Sequence, residues 1–361
     1  MRRRTLLRTG AFGLASSAIA SPAIAQSSTV NWRLQAGFPK SLDVLYGGAE
    51  TIARHVSELT DGRFKIQVFA PGEIVGSFQI FDAVGNNTVD AGITALYYYI
   101  GKDPTLALGS AVPFGLNQRQ QFSWLFDGGG NQLVETLLAP YNLVGLPAGG
   151  TGAQMGGFFR RELNSLADFR GLKFRIGGLG GQVLAKLGVV PQQIAPGDVY
   201  PALERGTLDA AEFIGPYDDE KLGLAKIAKY YYVPGWWEGG VSGHLLINKE
   251  KWEALPKSFQ RALTVATQAL CCEQIAQYDA RNAAALRRIL SQGAELRTFP
   301  RDSIEAAYKA SFELYAEMGQ THPNWNKVYE PWLAFRQEAL TWFRVSEATY
   351  DGFVNLMGNR R

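Results

Sequence analysis

The side chains best equipped for chemistry are few and scattered along the 361 residues. His55, His244 and His322 lie too far apart for a local zinc spacing, and no H-E-x-x-H string occurs. Gly177-Gly178-Leu179-Gly180-Gly181 has neither the G-x-G-x-x-G pattern of a dinucleotide turn nor the lysine and hydroxyl of a P-loop. It reads as a strand-to-helix turn. In Gly240-Val241-Ser242-Gly243-His244 a glycine follows the serine directly, so the G-x-S-x-G spacing of a serine hydrolase is absent. Only a triad assembled in three dimensions would leave a hydrolase open. Cys271 and Cys272 are adjacent and cannot readily reach unstrained disulfide geometry. Their alanine- and leucine-rich surroundings suit small buried side chains, with an oxidation-sensitive pair as the alternative. No catalytic set is visible, and an enzyme is not expected.

Composition narrows the partners. With 46% hydrophobic and 19% charged residues the chain can bury a large core, and its length suits about two domains. The formal charge of +3 comes from 36 basic and 33 acidic residues, but Arg2, Arg3, Arg4 and Arg8 lie in an acid-free leader. Without residues 1–25 the balance is 32 minus 33, or −1. That near-neutral body does not support nucleic-acid binding. Arg2-Arg3-Arg4, the apolar and small residues 5–20, and Ala23-Ile24-Ala25 before Gln26 read as a cleaved export signal over residues 1–25. The string Arg3-Arg4-Thr5-Leu6-Leu7-Arg8 resembles a twin-arginine signal, with Sec export as the competitor. A periplasmic product is expected, and an uncleaved N-terminal anchor is the alternative.

The elements that must position any site alternate between strand and helix. Residues 31–38 read as a strand ending at Gly37-Phe38-Pro39. Leu45, Ala49, Ile52, Ala53 and Val56 recur at helical spacing over 43–59, before Thr60-Asp61-Gly62. Strands are predicted at 64–69, 90–95, 143–146, 158–160, 172–176, 210–214, 230–233 and 245–247, the last re-entering the first lobe. Helices are predicted at 76–84, 118–138 with a break at Gly128-Gly129-Gly130, 181–187 and 199–205. Residues 147–152 look like a crossover into a second lobe. Residues 256–290 form one long helical pattern, either continuous at about 53 Å or broken near 278–282. A last helix, 325–343, carries Trp325, Trp332 and Trp342, with Pro331 tolerated mainly near its start. This aromatic tail docks either on its own chain or on a partner.

Several strings together resemble the DctP-type solute receptors of tripartite ATP-independent periplasmic (TRAP) transporters, and most of all their 2-oxoacid and lactate-binding branch. They are the run from Asp209-Ala210-Ala211-Glu212-Phe213-Ile214-Gly215-Pro216-Tyr217 through Asp218-Asp219-Glu220-Lys221-Leu222-Gly223, with Gly171-Leu172-Lys173-Phe174-Arg175 and Pro234-Gly235-Trp236-Trp237-Glu238-Gly239. Gln154, following Gly149-Gly150-Thr151-Gly152, joins them. The resemblance covers nearly all the mature chain. It implies a two-lobed α/β periplasmic solute-binding protein fold with crossover segments and a long C-terminal helical region. Lobe I is expected over 26–150 plus about 240–275, lobe II over 151–239 plus about 276–315, and a dimerisation or docking segment over 316–361. It also implies delivery of a small organic acid to TRAP membrane permease subunits, and a homodimer.

The resemblance places the substrate carboxylate on Arg175. A guanidinium suits that role because it offers two parallel donors and keeps its charge, although a surface ion pair is its alternative use. Gln154, Glu212, Glu238 and the Phe213 carbonyl are implied as oxygen ligands for sodium or calcium bridging protein and acid, with Gln154, Glu212 and Phe213 also facing the substrate. A structural ion pair is the alternative for either glutamate. Phe213 departs from the tryptophan of the oxoacid receptors, which leaves its carbonyl intact but alters the pocket wall. Among Tyr97, Tyr98 and Tyr99, alternation forbids three ligand contacts. Tyr98 is preferred and Tyr97 second, with Phe38 as another wall and aromatic core packing as the competing role. The expected ligand is a 2-oxoacid such as pyruvate. Lactate or another small acid, a periplasmic enzyme acting on a small carboxylate, and a scaffold with an incidental cleft are the alternatives.

Overall fold

Alternating β and α segments assemble into two separate sheets in the computed structural model, which describes residues 29–358. The export signal read in residues 1–25 lies outside the described residues. The chain begins with β1 (Val30–Ala36), α1 (Asp43–Leu59), β2 (Phe64–Phe69), α2 (Ile80–Gly85), β3 (Ala91–Thr94), α3 (Gln118–Phe126), α4 (Gly130–Leu138) and β4 (Leu143–Gly150). Next come β5 (Gly157–Phe159), β6 (Lys173–Arg175), α5 (Gly178–Lys186), β7 (Val190–Gln192), α6 (Val199–Glu204), β8 (Ala210–Ala211), α7 (Pro216–Leu222) and β9 (Tyr230–Val233). It finishes with β10 (Ser242–Asn248), α8 (Lys249–Glu253), α9 (Lys257–Ser291), β11 (Glu295–Thr298), α10 (Arg301–Thr321), α11 (Trp325–Val345) and α12 (Glu347–Gly358).

The first sheet has the order β2-β1-β3-β10-β4, with β1 parallel to β2 and β3 and β10 antiparallel to β3 and β4. The second has the order β11-β9-β5-β8-β6-β7. The chain crosses between them three times: from β4 to β5, from β9 back to β10, and along α9 to β11. Crossings of this kind put the loops at their ends into the cleft between the lobes.

Local chemistry explains the elements closest to that cleft. α1 covers the predicted span and buries Leu45, Ala49, Ile52 and Val56, while Ala53 is only half-buried. It ends where Asp61 and Gly62 take positive φ. The helix predicted at 76–84 splits into a 3-10 turn, Ser77–Gln79, and α2. β4 runs four residues beyond the predicted strand, so the crossover glycines continue it into the cleft.

α9 is unbroken over 35 residues, and no break occurs near 278–282. Its first half buries Phe259, Leu263, Ala266 and Leu270 with the first lobe's core, and Tyr278 and Ile289 join the core that reaches the second. α11 holds Pro331 in its second turn, where the ring removes one i to i−4 bond without ending the helix. Trp325 and Trp332 are buried against the chain's own core, whereas Trp342 is 62% exposed.

Candidate functional site

Four segments distant in sequence meet between the lobes. Arg175 ends β6 and Glu212 follows β8, so the parallel pairing of β6 with β8 sets them side by side. Arg175 Nη1 donates to Glu212 Oε1 at 2.6 Å and to the Glu212 carbonyl at 2.7 Å, and Nε donates to the Ile194 carbonyl at 3.2 Å. Both side chains are buried, at 1% exposure each. The Phe213 ring lies over the guanidinium, 5.4 Å from its carbon.

Gln154 and Glu238 approach from the two crossover loops. Gln154 Nε2 donates to Thr151 Oγ1 at 3.0 Å. The loops are laced by backbone bonds: Gly235 N donates to Gln154 O at 3.2 Å, and Met155 N donates to Ile214 O at 2.8 Å. Gly235 permits this approach, since a Cβ there would sit 2.7 Å from the Met155 carbonyl oxygen and 2.9 Å from that of Gln154.

Four polar atoms of this cluster are buried without a partner: Arg175 Nη2, Gln154 Oε1, Glu212 Oε2 and Glu238 Oε2. One is a donor and three are acceptors. Buried atoms of this kind cost on the order of 1–3 kcal/mol each, more when charged, so a site that collects them is built for a ligand that supplies the partners. Acceptors alone on one side suit a hard cation, and a free guanidinium nitrogen suits a carboxylate. Among the described residues no three His, Cys, Asp or Glu side chains gather as a metal cluster.

The electrostatics follow from burial. Burial works most strongly against the Arg175 charge, but Glu212, Tyr98, Tyr97 and Glu238 together outweigh it and keep the guanidinium protonated. Burial raises Glu212 against the pull of Arg175. Burial and then repulsion from Glu212 hold Glu238 well above the usual carboxylate range. Glu238 forms no ion pair among the described residues, so it is the carboxyl that a bound cation would change most.

Beside this cluster lies a partly open cavity of about 480 Å³, including space continuous with solvent. Phe38, Tyr97, Tyr98, Gln154 and Phe213 line it, together with apolar side chains from α1, β3 and β4. Arg175, Glu212 and Glu238 are not in its wall; they lie behind it, Arg175 screened by the Phe213 ring. Tyr99 turns away, its hydroxyl 3.0 Å from Thr94 Oγ1 in the first lobe. Tyr97 meets the second lobe at Gly177, where a Cβ would stand 2.7 Å from the ring.

The sequence reading missed two residues of this cavity. Thr151 Oγ1 takes the Gln154 amide and the Val241 N–H, at 3.0 and 2.9 Å. Gln274 of α9 takes Gly150 N at 3.1 Å and donates to Val44 O at 2.8 Å. The available signal was a glutamine interrupting the apolar face of α9 two turns beyond Phe259, Leu263 and Ala266.

Residues 36–321 match the bacterial extracellular solute-binding protein family 7, DctP. The chain belongs to this family. A monocarboxylate 2-oxoacid-binding periplasmic protein of Nostoc is 46% identical over 98% of this chain and 99% of its own. A TRAP transporter solute-binding protein of Bordetella bronchiseptica, a dimer with calcium and picolinate in one active site and the other apo, is 47% identical with a TM-score of 0.91, covering 92% of this chain and 99% of that one. A TRAP periplasmic solute-binding protein of Pseudoalteromonas atlantica with bound sodium and pyruvate is 33% identical with a TM-score of 0.87, covering 90% and 98%. The protein is therefore a periplasmic TRAP-type receptor for a small organic acid, with the two-lobed α/β binding-protein fold, and it is not an enzyme. Receptors of this type work with membrane permease subunits.

Proposed function

We propose that this receptor binds a 2-oxoacid such as pyruvate through Arg175 and a bridging sodium or calcium ion, and hands it to its permease as the closed form. The reading rests on one observation: the orphaned donor of Arg175 and the orphaned acceptors of Gln154, Glu212 and Glu238 share one buried cluster. Gln154, Glu212, Glu238 and the Phe213 carbonyl would hold the cation, whose charge offsets the repulsion between two carboxylates and an anionic substrate. Tyr97, Tyr98 and Phe38 line the space beside it. The bound calcium or sodium of the Bordetella and Pseudoalteromonas proteins, and the pyruvate of the latter, support the same assignment.

In this reading residues 26–150 with about 240–275 form lobe I, 151–239 with about 276–315 form lobe II, and 316–361 dock a second copy. Ligand contacts drawn from both lobes favour the closed population, because a ligand shifts the equilibrium toward the state it binds more tightly. Calorimetry on chelator-treated mature protein tests the proposal, comparing pyruvate, longer 2-oxoacids and lactate with and without sodium or calcium. Pyruvate is expected to bind only with a cation. Cation-independent binding removes the bridge, and no binding of any small acid removes the 2-oxoacid assignment.

A further inference from the structure

The string after Phe213 contains two consecutive acids, Asp218 and Asp219, both fully buried, that the proposed ligand contacts do not use. Asp218 accepts from Tyr278 of α9 at 2.6 Å. Asp219 accepts the Tyr231 hydroxyl of β9 on Oδ2 at 2.6 Å and the N–H of Ile214 on Oδ1 at 3.5 Å. That N–H belongs to the same peptide unit as the Phe213 carbonyl. In a trans peptide the C=O and N–H point in opposite directions, so a group that holds the N–H also aims the oxygen.

The peptides on either side of this one are already committed. Ile214 O takes Met155 N at 2.8 Å, which sets Gln154 beside it, and Glu212 O takes Arg175. No hydrogen bond reaches the Phe213 oxygen itself among the described residues. The plane is thus pinned on its N–H side by Asp219 and left open on its carbonyl side.

We infer that Asp219, anchored by Tyr231, is a positioning residue that aims the Phe213 carbonyl into the cation site. The inference rests on the cation reading above. It explains why an acid without a basic partner is kept inside the second lobe: its two oxygens receive one hydroxyl from β9 and one amide from the ligand loop, joining a strand to the loop that must not rotate. Asn fits the same role, its carbonyl accepting from Ile214 and its amide donating to Tyr231. Leu fills similar space but offers no acceptor.

Calorimetric titration of chelator-treated protein with calcium, alone and with saturating pyruvate, separates the outcomes when it is paired with melting curves. Asp219→Leu is expected to weaken calcium binding about tenfold, and Asp219→Asn to restore it. Tyr231→Phe, which keeps the ring and removes the anchor, is expected to weaken it in the same direction and serves where the Leu variant does not fold. Unchanged calcium affinity in folded Asp219→Leu or Tyr231→Phe, whatever the melting temperature does, overturns the inference while leaving the cation site standing. Failure of the unaltered chain to bind either calcium or, in a parallel titration, sodium, with or without pyruvate, overturns both.

Discussion

Arg175 is worth more than its charge. Its Nη1 is spent on Glu212, and Nη2 is left for a ligand, so in the proposed reading the planar fork would serve a protein carboxylate and a substrate at once. Lysine at 175 would keep one positive charge and lose that division. Arg175→Lys is expected to cost about 1.5–3 kcal/mol in acid binding, roughly 10- to 150-fold in Kd by calorimetry. Glu238 gives a prediction of opposite sign for stability and binding. Its carboxyl holds its proton more tightly in the fold than at its ordinary value of 4.5, so it favours folding below that pH and loses the advantage as pH rises. At pH 8 ligand-free Glu238→Gln should melt above the unaltered protein, while calcium should no longer raise its Tm. A lower Tm for the variant would assign Glu238 to a structural pair.

At the scale of elements, α7 is fastened to α9 and β9 through its buried acids, with Asn282 Oδ1 accepting Tyr217 N at 3.0 Å as a further tie. Burial pushes Asp218 up to about 6 and Asp219 up to about 8, against the hydrogen bonds from Tyr278 and Tyr231. Both ordinary values are 3.8, so each acid contributes stability below that pH and surrenders it as pH rises through its folded value. Melting temperatures of ligand-free protein should fall between pH 4 and 8. Asp219→Asn should flatten the part above pH 6, where Asp218 has already titrated. An unchanged slope would place Asp219 in a wetter environment than its 0% exposure implies. Some helices were legible: the 3.6-residue pattern gave α1 its limits and marked the span of α9 without deciding whether it was continuous, because each element's burial is written along its own span. The partners of Asp218 and Asp219 were not, since they lie on α9 and β9.

For the whole molecule, the described conformation is latched across the cleft. Asp43 at the start of α1 accepts the Tyr217 hydroxyl at 3.0 Å and pairs with Lys221, both on α7, and Arg281 of α9 stands at 3.5 Å. On the other flank Gln193 donates to the Tyr98 carbonyl at 3.1 Å. Exposed pairs of this kind are worth about 0–1 kcal/mol each, so they bias closure without imposing it and leave the ligand to decide. The C-terminal α12 has no buried residue; its Tyr350 and Phe353 are exposed, as is Trp342 near the end of α11. A patch of this character is unusual on a monomer and fits a second copy. Sedimentation of the mature chain should give a dimer, and a double Tyr350→Asp, Phe353→Asp variant a monomer that still binds acid. A monomeric mass for the unaltered chain at working concentration rejects the dimer.

What the sequence determined by itself was local or carried by whole strings: the alternation of strand and helix, the helical pattern over α9, the resemblance that named the family, and the residue types suited to an acid and a hard cation. Only the tertiary structure decided that Gln154, Arg175, Glu212 and Glu238 share one buried cluster, that Tyr97 faces the second lobe while Tyr99 does not, and that Arg175 stands behind Phe213. Hydrophobic period reports which face of an element is buried. Which loops meet depends on sheet order and on where the chain crosses between lobes, and those pairings join residues tens of positions apart that no local pattern relates.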